Sequence, residues 1–144
     1  MIQRIQTLWL LLSAIGFGLN MLPNIFLLKT KTVGTDLLSD QLLQVTESNL
    51  SLVGTILAIL MVLIAIFLYK RRPLQLILSN LASIIFILLA LGSAIWYCQQ
   101  QGKVGEIEPG IGIISGLLAI IMIWLASKAI KKDEKLVKSM DRLR

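Results

Sequence analysis

The chain has 144 residues, of which 56% are hydrophobic, and its mean hydropathy is +0.83. One soluble domain of this length has no core large enough for that apolar fraction, which excludes an ordinary water-soluble fold. Fourteen basic and eight acidic residues give a net charge of +6, and the chain has no His and one Cys. An intramolecular disulfide and a Cys–His metal cluster are therefore excluded within one chain.

Four uncharged segments predict an all-α integral membrane protein with four transmembrane helices in an antiparallel up-down bundle. Each segment has about the 20 apolar residues that a spanning helix needs. None alternates polar and apolar residues as barrel strands do, and backbone in lipid must pair internally, which favours helices. The predicted spans are residues 5–28, 50–69, 74–99 and 109–127, within a single membrane domain over residues 1–144.

The first segment follows a basic residue, Arg4, and resembles a signal peptide in that respect. Its apolar stretch is longer than a signal core, and no small-x-small cleavage site ends it. We therefore predict a retained helix that ends near Pro23 and Asn24, where proline interrupts helical hydrogen bonding.

The longest connection, residues 29–49, carries apolar residues at Leu37, Leu38, Leu42, Leu43 and Val45. Their spacing favours one short amphipathic helix that rests on the outer membrane surface.

Within the spans, the sequence shows packing features and no catalytic set. Asn80 in the third span is predicted to hydrogen-bond to a Ser or Thr of the second span, and we favour this structural role over substrate binding. Gly112 and Gly116 form a GxxxG pair that predicts close helix packing. Cys98 is interpreted as a small core or interface residue rather than a bridge between two chains. No charged side chain lies inside a span, so we expect no enzyme, no cofactor and no metal site.

Basic residues are distributed unevenly between the two sides of the predicted bundle. One side has eleven basic and three acidic residues, a net charge of +8, and the other has three basic and five acidic residues, a net charge of −2. The positive-inside rule then predicts that both termini are cytoplasmic. The residues on this side are Arg4, Lys70, Arg71, Arg72, Lys128, Lys131, Lys132, Lys135, Lys138, Arg142 and Arg144.

Residues 128–144 are predicted to form a basic amphipathic cytoplasmic tail that continues the fourth helix. At 100° per residue, one stripe about 60° wide contains four basic side chains. They are Lys131, Lys135, Lys138 and Arg142.

Asp133 lies in the opposite, apolar arc of this tail, where no cation is one helical turn away. Two interpretations stay open: pairing with Arg4, Arg71 or Arg72 from other helix ends, or a solvated carboxylate at the edge of the stripe.

The two ends of the chain carry a family resemblance. "MIQRIQTLWLLL" at the start, "RRPLQ" after the second span and "IKKDEKLVKSMDRLR" at the end resemble a Bacteroidota family of four-helix inner-membrane proteins, domain of unknown function 4293. Met140 stands where a smaller residue is expected. The resemblance implies a multi-pass location in the bacterial inner membrane and implies no activity.

We expect a non-catalytic accessory or scaffold subunit of an inner-membrane complex, which docks through its bundle and its basic surface. The expected partners are the lipid bilayer, anionic lipid headgroups and other membrane proteins, and a translocation or insertion complex is one host that the residues permit. The tail could bind lipid, protein or RNA, but no DNA is expected because no aromatic side chain interleaves the basic stripe. The alternative is a small transporter or channel that acts as a homo-oligomer lined by Asn20, Asn80 and serines.

Overall fold

The structure, a computed structural model, describes residues 3–141, apart from the side chains of Gln3, Arg4, Val104, Lys138, Met140 and Asp141. The helices are α1 (Gln3–Leu19), α2 (Asn49–Phe67), α3 (Arg72–Ile85), α4 (Gly92–Gln100) and α5 (Ile111–Asp141). The strands are β1 (Phe26–Thr30), β2 (Leu42–Gln44) and β3 (Ile107–Pro109). A π-helical segment, Phe86–Leu91, joins α3 to α4 without a break in the helix. Short 3₁₀ turns lie at Asp36–Leu38 and Val104–Glu106.

Three helical stretches of the described chain are long and apolar enough to cross a membrane. They are Asn49–Phe67, Arg72–Gln100 and Ile111–Val137. Each overlaps one of the predicted spans, although the last continues to Val137, past the predicted end at residue 127, and the architecture fits a helical membrane protein. The apolar part of α1, Ile5–Leu19, is shorter than these three.

The predicted outer end of the first span is wrong, because α1 stops at Leu19 and residues from Phe26 form a strand. After α1 the chain turns through Pro23, which has no N–H to continue a helix. Asn24 then adopts a left-handed conformation with φ of 71°, which Asn tolerates better than most residues. This reversal directs β1 back across the helix ends.

The predicted amphipathic helix in residues 29–49 is also wrong. This segment supplies the end of β1, a 3₁₀ turn and β2, and β1 pairs with both β2 and β3 in an antiparallel sheet of order β2-β1-β3. Of the apolar residues that suggested a helix, Leu38, Leu43 and Val45 are buried in a core with α4 and β1 instead, and Leu37 and Leu42 are half-buried. This second core contains Leu27, Leu28, Leu38, Leu43, Val45, Ala94 and Cys98.

Side chains from the end of α4 hold the loop that connects β1 to β2. The Gln101 amide donates to Thr35 O at 2.9 Å and accepts from Thr35 N at 3.1 Å. Leu37 N donates to the Tyr97 hydroxyl at 3.3 Å, and Lys103 Nζ donates to Thr32 O at 2.8 Å. The sheet and residues 31–41 therefore form one packed structure over the helix ends, which we call the cap.

Small residues on α2 face the main core, which the helices form around Phe17, Val62, Phe86 and Ile123. The buried face of α2 consists of Ser51, Gly54, Thr55, Ala58, Val62 and Ala65. Ser51 Oγ donates to Ala90 O at 3.2 Å and lies 2.8 Å from Ser93 Oγ. Ser93 Oγ in turn donates to Leu89 O and Ala90 O. The π-helical segment alters the backbone hydrogen-bond ladder, and these hydroxyls supply hydrogen-bond partners for two of its carbonyls.

Both glycines of the GxxxG pair lie against other elements of the same chain. A Cβ on Gly116 would lie 2.4 Å from Cε1 of Phe86, whose ring centroid is 4.6 Å from that of Phe17. A Cβ on Gly112 would lie 2.6 Å from Asn20 Oδ1 and 2.9 Å from Phe26 O. The pair therefore brings α5 close to α1, to the π-helical segment and to the start of the cap.

Candidate functional site at the basic end

The basic end consists of the turn between α2 and α3 together with α5 from Lys128 onward. The side chains of Lys70, Arg71, Lys131 and Lys135 are exposed there, and Arg72 is half-buried. Among the other predicted contact residues, the side chains of Arg4 and Lys138 and the whole of Arg142 lie outside the described part. Because α5 remains helical to Asp141, the predicted continuity of the tail with the fourth helix holds as far as the structure extends.

A pocket of about 390 Å³ opens between the α2–α3 turn and α5. It brings together two of the predicted basic residues and one acid from the tail. Its lining comprises Tyr69, Lys70, Arg72, Pro73, Glu134 and Val137. The pocket therefore has a polar wall from the turn and an apolar wall from Pro73 and Val137.

Asp133 lies inside the helix packing, not at a solvated edge, since only 7% of its surface is exposed. Gln6 Nε2 on α1 donates to Asp133 Oδ2 at 2.7 Å. Arg72 Nη1 reaches the main-chain carbonyl of Asp133 at 3.5 Å rather than forming a close contact with its carboxylate. Two other helices thus hold this point of α5, one through a side chain and one through the backbone.

Sequence reasoning missed Gln6 because it is 127 positions from Asp133. A signal was nevertheless present: the buried face of α1 contains Leu10, Ala14 and Phe17, and Gln6 continues that stripe one turn earlier. A large amide side chain buried on a mostly apolar stripe costs free energy unless it finds a hydrogen-bond partner, so a partner for Gln6 was to be sought on another helix.

A second glutamine, Gln75, is buried on α3, on the face that it forms with Ser79 and Ala82. Its side chain is 1% exposed, and within the described residues neither Nε2 nor Oε1 has a hydrogen-bond partner. Among the buried polar side chains that the structure describes, Gln6, Gln75 and Asp133 thus come from three different helices, α1, α3 and α5.

Asn80 has a different partner from the one predicted. Ser127 Oγ on α5 donates to Asn80 Oδ1 at 3.4 Å, so the contact is with α5 rather than with the second span. The reason is the helical register: Ser79 occupies the inward face of α3, and Asn80, one residue later, is exposed on its flank. Asn80 joins two helices, as expected of a structural residue.

Aromatic rings accompany two cations at this end. Lys128 Nζ lies 3.5 Å from the ring centroid of Trp124, and Lys70 Nζ lies 5.9 Å from that of Tyr69. Such pairs suit the boundary between hydrocarbon and headgroups, where rings with a polar edge collect.

The chemistry available at this site is recognition of charge and of apolar surface. The described residues contain no group of three or more His, Cys, Asp or Glu side chains that could hold a metal ion. Two cations beside a pocket can bind an anion, and exposed Leu136 and Val137 on α5 offer an apolar contact next to them.

Comparison with known proteins gives a family without an assigned activity. No curated protein and no solved structure matches the chain. The family described as "Domain of unknown function (DUF4293)" matches residues 2–143, nearly the whole sequence. By this match the chain belongs to the DUF4293 family.

Proposed function

We propose that this protein is a non-catalytic accessory or scaffold subunit of a protein complex in the bacterial inner membrane. It spans the membrane four times, keeps both termini in the cytoplasm and docks partners through its helix bundle and its basic end. The observation that carries the proposal is α5. Its 31 residues extend about 46 Å, against about 30 Å of hydrocarbon, so its last turns project beyond the hydrocarbon layer.

The projecting end of α5 has the properties of a docking surface. It is braced by Gln6 and Arg72 at Asp133, and it presents Leu136 and Val137 at 45% and 37% exposure beside lysines. An ordered helix loses little conformational entropy when a partner binds, which favours recognition.

The outer surface of the bundle supports two parts of this proposal. It supports α1 as a membrane span in addition to the three longer helices, and it offers a second contact surface for partners. The outer face of α1 is apolar, with Leu8 and Ile15 about half exposed, and its 17 residues extend about 26 Å. Beside it, an apolar groove of about 190 Å³ is lined in part by Gly16, Ser115 and Ala119. These small residues let α1 and α5 approach each other closely, since a Cβ on Gly16 would lie 2.9 Å from Ala119 Cβ. The groove offers a partner helix its exposed apolar rim, which includes Leu12, Ile15 and Leu118.

The proposed topology predicts opposite labelling at the two ends of the bundle. In a Cys98→Ala background, Lys31→Cys should react with a membrane-impermeant maleimide in intact spheroplasts, and Lys132→Cys should react only after permeabilisation. Both positions are exposed, and the Cys98→Ala background leaves each introduced cysteine as the one thiol that can react. Labelling of both positions from the same side would contradict the predicted topology. Labelling of Lys132→Cys in intact spheroplasts, with Lys31→Cys protected, would show that the protein has the opposite orientation.

Purification in a mild detergent tests the scaffold role. We expect a stoichiometric protein partner to co-purify, and its recovery to fall roughly two- to fivefold for each charge removed by Lys131→Gln and Lys135→Gln. The matched control is Lys29→Gln with Lys31→Gln, two exposed lysines at the cap end. Equal recovery with both pairs of substitutions would contradict docking through the basic end.

A homogeneous homo-oligomer that conducts ions in liposomes would instead support the channel alternative. Of the residues suggested for its pore, Asn20 is buried and donates to Gly16 O and Ser115 Oγ at 3.1 and 3.0 Å. It is thus engaged within its own chain, and a pore between copies would have to use exposed residues such as Asn80.

A further inference from the structure

The pocket at the basic end lies at the depth of lipid headgroups. The 19 residues of α2 extend about 28 Å, close to the thickness of the hydrocarbon layer. Since α2 ends at Phe67, the turn that follows it, with Tyr69 and Lys70, reaches the headgroup layer. On α5, the Trp124–Lys128 pair precedes Glu134 and Val137, so the interface that such a pair marks is crossed before the helix reaches the pocket.

The walls of this pocket suit the two chemical parts of a phospholipid near its headgroup, the charged phosphate and the less polar glycerol region. Tyr69, Lys70 and Arg72 offer a hydroxyl and two cations, while Pro73 and Val137 offer apolar surface. The lining residues carry a net charge of +1, because Lys70 and Arg72 are cations and Glu134 is an anion. The volume of about 390 Å³ falls in the usual range of ligand pockets, about 300–1,000 Å³.

Arg72 is held in position for an anion. Its Nη1 contacts Asp133 O at 3.5 Å, which fixes one edge of the guanidinium. A guanidinium has five N–H donors in a planar fork that suits phosphate oxygens, so donors remain beyond this contact. The same turn begins α3, whose first turn has no acidic residue and whose N-cap, Arg71, makes no side-chain capping bond. The positive end of the helix dipole thus adds to the two cations.

From these features we infer that the pocket binds the phosphate group of an anionic membrane phospholipid, with its glycerol region against Pro73 and Val137. The inference rests on membrane embedding and not on the docking partner proposed above. Failure to find a protein partner would therefore leave it intact.

Native mass spectrometry of the full chain released from nanodiscs tests this inference. The probe is phosphatidylglycerol at a fixed mole fraction in phosphatidylcholine, and we expect one retained phosphatidylglycerol per chain. Lys70→Gln should weaken retention about fivefold, Arg72→Gln should do the same, and the double substitution should weaken it roughly 25-fold. The matched control is Lys132→Gln, which removes one exposed charge at the same end outside the pocket lining.

A second variant separates lost binding from lost folding. Val137→Phe keeps every charge and fills the apolar wall, so it should also reduce retention while the helical circular dichroism stays unchanged. Loss of lipid with Lys132→Gln equal to that with Lys70→Gln would show a diffuse basic surface and overturn the inference. Displacement of the lipid by millimolar inorganic phosphate would assign the pocket to free phosphate and overturn it as well.

Discussion

Gly54→Ala should destabilise the folded protein by about 1–3 kcal/mol, the usual cost of overpacking a core. A Cβ at this position would lie 2.5 Å from Leu89 Cβ and 3.1 Å from Ala90 N. Neither atom is the far end of a flexible side chain, so α2 and the π-helical segment must separate. That separation would also stretch the contacts of Ser51 with Ala90 O and Ser93, which satisfy backbone carbonyls inside the bundle.

Gly18→Ala provides the matched control for this prediction. Gly18 lies inside α1, and a Cβ there would meet nothing within 4 Å. The same chemical change should therefore be neutral or stabilise by up to about 1 kcal/mol, because Ala is the better helix former. The measurement is the free energy of unfolding in detergent micelles for both variants. Equal values for the two variants would show that α2 and the π-helical segment are not in tight contact.

Hydropathy predicted the longer helices well because the lipid imposes a strong constraint. The second predicted span, residues 50–69, corresponds to Asn49–Phe67, and the third, residues 74–99, lies within Arg72–Gln100. In hydrocarbon every backbone group must pair inside its own helix, so an uncharged segment of sufficient length has few alternatives.

The cap could not be predicted in the same way, because its segments are stabilised by distant partners. Leu42 and Leu43 fit an amphipathic helix as well as a strand, and the choice depends on pairing with β1. The third strand comes from a connection far along the chain, where Thr30 pairs with Ile107. Such short strands have no strong local signal, and only the assembled sheet makes them favourable.

Charge counting located the basic end but did not predict how its residues are arranged. Lys70 and Arg72 line a pocket with Glu134 because the α2–α3 turn packs beside α5, a contact between elements that are far apart in sequence. Asp133 was recognised as unusual from its helical position alone. Its contact with Gln6 could not be predicted, because Gln6 carries no charge and a search for a countercharge passes over it. Its predicted pairing with Arg4 stays a prediction, because the Arg4 side chain lies outside the described part of the chain.

Gln6→Leu should destabilise the protein by roughly 1.5–3 kcal/mol, the range for a hydrogen bond to a charged group. The substitution removes the donor at 2.7 Å from Asp133 Oδ2 and leaves a carboxylate that is 7% exposed without that bond. Ser13→Ala is the matched control on the same buried face of α1. Its hydroxyl donates to Leu10 O of its own helix, so its loss should cost well under 1 kcal/mol, the lower end for a local bond.

The double variant Gln6→Leu/Asp133→Leu decides whether the pair is coupled. Removing one partner strands a buried charge, whereas replacing both with apolar side chains removes the desolvation cost together with the bond. The double variant should therefore have a larger free energy of unfolding than the single variant Gln6→Leu. Additive losses from the two single changes would mean that Gln6 and Asp133 act independently. If the double variant is also more stable than the natural protein, the Gln6–Asp133 pair lowers the stability of the fold. Its role would then be to hold α5 in place at Asp133, just before the exposed residues Leu136 and Val137.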